Sequence, residues 1–173
     1  MRIVMDIETN GLLEDVSKIH CLSYLNIDVQ DCDIVTLTDY DQMRELLLQD
    51  NLEICGHNIV RYDVPVLKKL LNINFDKHRL IDTLGLSWYL YPSEIKHGLE
   101  QWGEKLGVEK PKIEDWSNLR LKDYIHRCES DVEINKLLFL KQLNYLAILY
   151  SSDLVQINNL INYLGFKLDC ARE

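Results

Sequence analysis

The hydrophobic positions of the chain follow two periods, and these predict its secondary structure. The first segment, Arg2–Thr9, is almost continuously apolar, which is typical of a strand buried on both faces. Other segments place apolar residues three and four positions apart, which is typical of helices. The predicted strands are Arg2–Thr9, Ile19–Asp28, Cys32–Thr38, Glu53–His57 and Leu80–Asp82. The predicted helices are Asp39–Asp50, Tyr62–Leu71, Thr83–Tyr91, 98–106, 118–149 and Asp153–Leu164, the last ended by Gly165.

The order of these elements predicts an α/β fold. Three strands come first, and helices then alternate with two more strands, which predicts a mixed sheet of about five strands flanked by helices. Functional groups in such sheets gather where strands end and helices begin. The 173 residues suit one domain that buries roughly two-thirds of its unfolded surface.

Two acidic residues interrupt the first predicted strand. Asp6 and Glu8 are two positions apart, so both side chains point to one face of the strand. Burying a carboxylate without a partner costs on the order of several kcal/mol. A divalent cation that prefers oxygen ligands is the partner that best fits two converging carboxylates. The alternative is that both side chains face water at the end of the strand.

Two further acids lie at helix positions. Asp63 is at a predicted helix start, where it could simply compensate the helix dipole. Asp131 lies in a predicted helix, where it could belong to a solvated face with Glu129 and Glu133. Together with the pair on the first strand, however, they place four acids on three separated elements. This arrangement favours a site for two cations.

Composition narrows the class of protein. The net charge of −9 is unusual for a nucleic-acid protein, but two bound divalent cations would supply positive charge where a phosphate must lie. The sequence has no Cys-x-x-Cys pair and an odd number of cysteines, which predicts reduced thiols. No apolar run approaches the ~18 residues that span a bilayer, and no signal pattern opens the chain. We therefore expect a cytoplasmic protein without a membrane partner.

Three motifs carry the four acids: Asp-Ile-Glu-Thr-Asn-Gly at 6–11, His-Asn-x-x-x-x-Asp at 57–63, and Asp131. In these motifs the chain resembles the DEDD 3′→5′ exonuclease superfamily, and more closely the proofreading domain of phage-type family A DNA polymerases. Ile-Asp-Thr at 81–83 and the segment 97–107 also look like that domain. The resemblance covers about residues 2–145. It implies a ribonuclease H-like mixed sheet, with Asp6, Glu8, Asp63 and Asp131 as catalytic metal ligands.

The third motif departs from the polymerase pattern. The tyrosine usually found four residues before the last aspartate is replaced by Arg127, which cannot accept a proton. His126 precedes Asp131 by five residues, as in the histidine branch of the superfamily, and is expected to be the catalytic proton acceptor. Five residues separate two side chains by about 140° on a regular helix, so His126 reaches the ions only if the helix begins or is distorted after it. Tyr124 is the alternative.

The resemblance implies two Mg²⁺ ions, with Mn²⁺ as a substitute, and release of nucleoside monophosphates from a DNA 3′ end. The residues expected to bind the terminal nucleotide are Thr9, Asn10, Leu12, Asn58 and Tyr62. Three of these have structural alternatives: Leu12 and its neighbour Leu13 could anchor a loop to the core, Asn58 could cap a turn, and Tyr62 could simply be exposed.

The chain divides into an expected exonuclease domain, residues 1–150, and a C-terminal helix, residues 151–173. This helix, with its Gly-x-x-x-Asp turn at 165–169, resembles the connection into a polymerase domain. We expect a polymerase partner in the same chain or a separate one. Two other functions remain open: an exonuclease for RNA or small oligonucleotides, and a catalytically silent domain that binds nucleic acid or protein.

Overall fold

The computed structural model describes residues 1–113, 118–151 and 153–170, and over these ranges the chain forms a five-stranded sheet with helices on both faces. The strand order is β3-β2-β1-β4-β5. The central strand, β1, pairs with β2 antiparallel and with β4 parallel. The strands are β1 Arg2–Thr9, β2 Ile19–Asn26, β3 Val35–Leu37, β4 Glu53–Gly56 and β5 Arg79–Asp82. The helices are α1 Tyr40–Leu47, α2 Asp63–Leu71, α3 Thr83–Leu90, α4 Leu99–Leu106, α5 Leu121–Leu149 and α6 Leu154–Cys170.

The sheet separates two hydrophobic layers, and β1 contributes alternate residues to each. Ile3, Met5 and Ile7 pack with α1 and α2, whereas Val4 packs with α3, α5 and α6. Asp6 and Glu8 have the same parity as Val4, so the strand directs their side chains towards the layer that contains α5. The mixed sheet and its five strands confirm the predicted fold class.

The C-terminal helix differs from its prediction. Gly165 was expected to end it, but α6 continues to Cys170, so the Gly-x-x-x-Asp stretch is helical and does not form a turn. A glycine inside a helix costs about 1 kcal/mol relative to alanine and does not by itself stop the helix. Residues 152 and 171–173 of the predicted C-terminal segment lie outside the described residues, as do residues 114–117 between α4 and α5.

Helix α6 belongs to the same hydrophobic layer as α3 and α5. Ile157 and Ile161 are buried in that layer. Arg79 at the start of β5 donates hydrogen bonds to Asn158 and Asn162 of α6. The helix therefore covers the edge of the sheet formed by β5. Within the described part of the chain, no helix is long and apolar enough to cross a membrane.

Candidate metal centre

Three acidic side chains meet between β1 and α5. Asp6 and Glu8 come from β1, and Asp131 comes from α5, which packs across β1 and β2. One ligand oxygen from each lies within 4.8 Å of the other two. Asp131 is buried, whereas Asp6 and Glu8 are half-buried. The oxygens are close enough to share a divalent cation, and carboxylates are the ligands that Mg²⁺ and Mn²⁺ prefer.

The two oxygens of Asp131 differ in their partners. Oδ2 accepts a hydrogen bond from Nζ of Lys110 at 2.5 Å. Oδ1 is buried and has no hydrogen-bond partner among the described residues. A buried carboxylate oxygen without a donor is costly in a folded protein. The residues at this site therefore fit a bound cation, which would coordinate the oxygen that the protein leaves bare.

Asp63, the fourth predicted ligand, stands beside this group but outside the 4.8 Å cluster. It is the first residue of α2, and the turn that precedes the helix delivers it to the end of the sheet. In that turn, Asn58 adopts a left-handed backbone with φ of 64°, and its carbonyl accepts from the amides of Arg61 and Tyr62. At the end of β4, a Cβ on Gly56 would lie 2.7 Å from the Ile59 side chain. Only glycine therefore allows the chain to fold back so closely onto the end of this strand.

Asp82 fixes the same turn, a role that none of the sequence motifs predicted. It caps α3 by accepting from the amides of Leu84 and Gly85. It also accepts from the amides of Asn58 and Val60 in the turn before Asp63. One carboxylate thus joins the end of β5 to the loop that positions a predicted ligand. An aspartate directly before a helix is typical of a capping residue. The sequence could therefore have predicted the cap on α3, but not the contact with the turn before Asp63.

Burial and mutual repulsion raise the pKa values of the acidic group. Burial is the largest cause for Asp6, whose pKa lies well above its ordinary value, with Cys128, Asp131, Asp63 and Glu8 adding to the increase. Burial raises the pKa of Glu8 to about 7, although Arg127 and Lys110 oppose the increase. Burial also raises the pKa of Asp63 to about 8, against the amides of Asp63 itself and Ile7. The charged forms therefore lack compensation that a metal ion would supply.

Arg127, which replaces the tyrosine of the polymerase pattern, points into the centre. Its Nε lies 2.9 Å from Oε1 of Glu8, and both side chains are largely buried. Residues four positions apart on a helix share a face, so Arg127 lies beside Asp131 on α5. At the expected tyrosine position the chain therefore places a cation where the family pattern has a phenol.

His126 and Tyr124 are not brought to the carboxylates. Helix α5 runs without interruption from Leu121, so the helix start or distortion that His126 required between residues 126 and 131 is absent. His126 is exposed and borders a cavity of about 790 Å³ together with Lys110 and Lys112. Tyr124 stacks on His20 of β2, with 3.9 Å between the ring centroids.

Three of the residues expected to bind substrate form hydrogen bonds within the loop after β1. The hydroxyl of Tyr62 lies 2.5 Å from Oγ1 of Thr9 and donates to the carbonyl of Gly11 at 2.6 Å. Oδ1 of Asn10 accepts from the amides of Ser17 and Lys18, which closes the loop. These side chains shape the edge of the site.

Leu12 and Leu13 take opposite positions. Leu13 packs against the core of the α1–α2 layer, so the anchoring alternative describes Leu13. Leu12, in the loop after β1, is 77% exposed and therefore does not anchor this loop to the core.

Comparison with known proteins establishes the family. A family model described as RNase_H superfamily (RNase_H_2) matches residues 3–121. The chain belongs to this superfamily. It is also 32% identical to the DNA-directed DNA polymerase of Escherichia phage T7 over an alignment of 142 residues, which covers 65% of this chain and 20% of the polymerase. The chain thus spans about a fifth of the length of that relative.

Two solved structures of low sequence identity share the RNase H-like fold. Brucella melitensis NrnC with bound Mg²⁺ superposes with a TM-score of 0.68 at 16% identity, covering 98% of this chain and 84% of that one. Escherichia coli RNase D, an exoribonuclease involved in structured RNA processing, gives a TM-score of 0.63 at 16% identity over 97% of this chain and 45% of RNase D. These two matches confirm the fold that the order of strands and helices predicted.

Proposed function

We propose that this RNase H-like exonuclease domain is a metal-dependent 3′→5′ exonuclease of the proofreading type, which releases nucleoside monophosphates from the 3′ end of DNA. The observation that carries the proposal is the meeting of Asp6, Glu8 and Asp131 within 4.8 Å, with a bare oxygen on Asp131. The similarity to a phage DNA polymerase supports DNA as the polymer.

The four acids take defined roles in this proposal. Asp6, Glu8 and Asp131 would hold one Mg²⁺ or Mn²⁺, and Asp63, at the start of α2, would complete the ligand set for a second. Mg²⁺ bound to a structure of the same fold supports this choice of ion. Bound ions of this kind lower the pKa of an attacking water and stabilise the leaving 3′ oxygen. The exposed Leu12 would contact the terminal base, while Thr9, Asn10 and Tyr62 keep the loop that carries it in place and Asn58 holds the turn before Asp63.

In this proposal, His126 accepts the proton that the attacking water loses, although it does not contact that water directly. It borders the cavity that Lys110 also lines, and Lys110 contacts Asp131. Water in that cavity would carry the proton from the carboxylates to the imidazole. The neutral imidazole of a histidine has a free ring nitrogen that can accept a proton, which suits His126 to this task.

RNA or a short oligonucleotide is the second candidate substrate. It is favoured by the fold shared with RNase D, over 97% of this chain. Discrimination between DNA and RNA depends on contacts with the 2′-hydroxyl. The C-terminal segment 151–173 is proposed to be the connection into a polymerase part, either in the same chain or in a partner.

A paired-substrate assay tests the proposal. Single-stranded DNA and RNA of one sequence, labelled in turn at the 3′ and the 5′ end, are incubated with Mg²⁺ or Mn²⁺. We expect immediate release of a labelled mononucleotide from the 3′-labelled DNA and a ladder that shortens from the 3′ end when the label is 5′. EDTA should stop both reactions. Faster shortening of the RNA would show that RNA, the second candidate, is the preferred substrate. Internal cuts or metal-independent cleavage would contradict metal-dependent exonuclease action.

A further inference from the structure

Two positively charged side chains occupy the candidate metal centre. Nζ of Lys110 lies 2.5 Å from Oδ2 of Asp131, and Nε of Arg127 lies 2.9 Å from Oε1 of Glu8. The side chains of these ion pairs are between 6% and 18% exposed, so water screens them only weakly. The oxygens that contact these cations belong to two of the three carboxylates that converge within 4.8 Å.

Lys110 and Arg127 come from different segments of the chain, and a hydrogen bond connects these segments. Arg127 is on α5, one turn before Asp131. Lys110 lies in residues 107–113, which follow α4, and its side chain reaches Asp131 of α5. Nη1 of Arg127 donates to the carbonyl of Pro111, the residue after Lys110, at 3.1 Å. Arg127 therefore holds both Glu8 and the segment that delivers Lys110.

A divalent cation cannot take Oδ2 of Asp131 and Oε1 of Glu8 as ligands while these contacts persist. Mg²⁺ requires oxygen ligands at about 2.0–2.1 Å, and an ammonium group that already contacts the same carboxylate would lie within a few ångströms of the ion. Repulsion between the two positive charges is strong at that separation in a partly buried site. The lysine and arginine must move away from Oδ2 of Asp131 and Oε1 of Glu8 when these oxygens become ligands.

We infer that Lys110 and Arg127 are internal counter-ions, which neutralise Asp131 and Glu8 in the metal-free protein and compete with the divalent cation for them. The inference rests on the proposed function, because it assumes that these carboxylates bind metal. It makes both residues positioning residues that set the metal concentration at which the centre fills. The bare Oδ1 of Asp131 gives the incoming ion a first ligand before Lys110 leaves Oδ2.

The test is a Mn²⁺ titration without nucleic acid, in which the electron paramagnetic resonance signal of free Mn²⁺ is measured at pH 7.5. Lys110→Met removes the charge and keeps an unbranched apolar stem. We expect this variant to bind Mn²⁺ roughly tenfold more tightly than the unaltered protein, because no ion pair has to break. In EDTA its melting temperature should fall, since Asp131 loses its partner, and Mn²⁺ should restore it.

Lys112→Met is the matched control. Lys112 is two residues further along the same segment and is exposed, and it makes no ion pair with the acids among those the structure describes. Its loss should leave the affinity for Mn²⁺ unchanged. Lys110→Gln, which retains a polar head group, is a second neutral variant should the methionine disturb folding, and the same gain is expected. For Arg127→Met we also expect tighter binding of Mn²⁺.

The outcomes separate the two proposals. If the unaltered protein binds Mn²⁺ and both neutral Lys110 variants bind it equally or more weakly, the counter-ion inference is overturned while the proposed metal centre stands. If the unaltered protein and every Lys110 variant fail to bind Mn²⁺ at millimolar concentrations, the metal centre itself is overturned. Tighter binding by the neutral Lys110 variants and by Arg127→Met, with Lys112→Met unchanged, supports the inference.

Discussion

Asp82 and Asp131 are equally buried, each 4% exposed, but the protein treats them in opposite ways. Asp82 accepts four backbone N–H groups, from Asn58, Val60, Leu84 and Gly85. Asp131 accepts one contact from a lysine and keeps a bare oxygen beside two other acids. Burial raises the pKa of both, and backbone hydrogen bonds counteract it at Asp82, whereas only Lys110 and Arg127 do so at Asp131.

The difference distinguishes a structural carboxylate from one that is prepared for a ligand. Backbone amides surround Asp82 in fixed directions, so its negative charge is compensated whenever the protein is folded. The charge of Asp131 is offset by the side chains of Lys110 and Arg127, which can change rotamer without any change in the backbone. The number of fixed donors around an acid is therefore more informative here than its burial.

The largest effect on the nuclease rate is expected when one acidic residue of the candidate metal centre is removed. Asp6→Ala should reduce the nuclease rate by about 10³-fold or more, because the ion loses a ligand from the centre of the site. In EDTA its melting temperature should be unchanged or higher, since one of several repelling acids is gone. Activity and thermal unfolding are measured on the same preparation. Near-normal cleavage by this variant would contradict the role of Asp6.

Asp82→Ala should have the opposite effect: the protein should lose stability, and this loss is the first effect to measure. Loss of the helix cap and of the acceptor for the amides of Asn58 and Val60, of which that of Val60 is buried, should cost about 3 kcal/mol in the free energy of unfolding. Urea unfolding should show this loss with and without Mn²⁺. Asp82→Asn, which keeps an oxygen acceptor, is the milder control. A stable Asp82→Ala protein would remove the contrast between the two aspartates.

The stability of the metal-free protein should depend on pH through the raised acids. The pKa of Glu8 is raised from 4.5 to about 7 and that of Asp63 from 3.8 to about 8, so between these limits the folded state binds more protons than the unfolded chain. The free energy of unfolding in EDTA should therefore decrease as the pH rises from about 4 to 8, and then level off.

Urea unfolding at several pH values checks this dependence. Asp63→Asn should flatten the curve, with a stabilisation at pH 8 that is absent near pH 4. Saturating Mn²⁺ should raise stability most at high pH, where the acids are ionised. A metal-free protein whose stability increases through this range would show that the acids are compensated in another way.

The smallest effect is expected at His126. Because this side chain is exposed and reaches the site only through a cavity, His126→Ala should lower the rate about tenfold, which is less than the loss of a general base in direct contact. The pH profile of the rate should shift at the same time. Tyr124→Phe, at the residue stacked on His20, should leave the rate unchanged. An unaltered profile in His126→Ala would assign the proton to bulk solvent.

Much of the fold and part of the site follow from local sequence patterns. The apolar run of β1 and its two acids at positions i and i+2 determine that Asp6 and Glu8 share a face. The order of strands and helices determines the class of sheet, and Asp39, directly before α1, caps that helix by accepting from the amides of Asp41 and Gln42. Such features depend on residues only a few positions apart, because the regular geometry of a strand or a helix fixes the directions of their side chains.

Contacts between distant segments required the tertiary structure. The pairing of Lys110 with Asp131 depends on where the fold places residues 107–113 relative to α5, and the double role of Asp82 depends on two loops that lie about 24 residues apart in the chain. The exclusion of His126 follows from the unbroken course of α5. The sequence alone thus predicted four acids as metal ligands, and the structure brings three of them within 4.8 Å of one another. Packing decided which cations neutralise them, because charges separated along the chain interact only after the fold has brought them together.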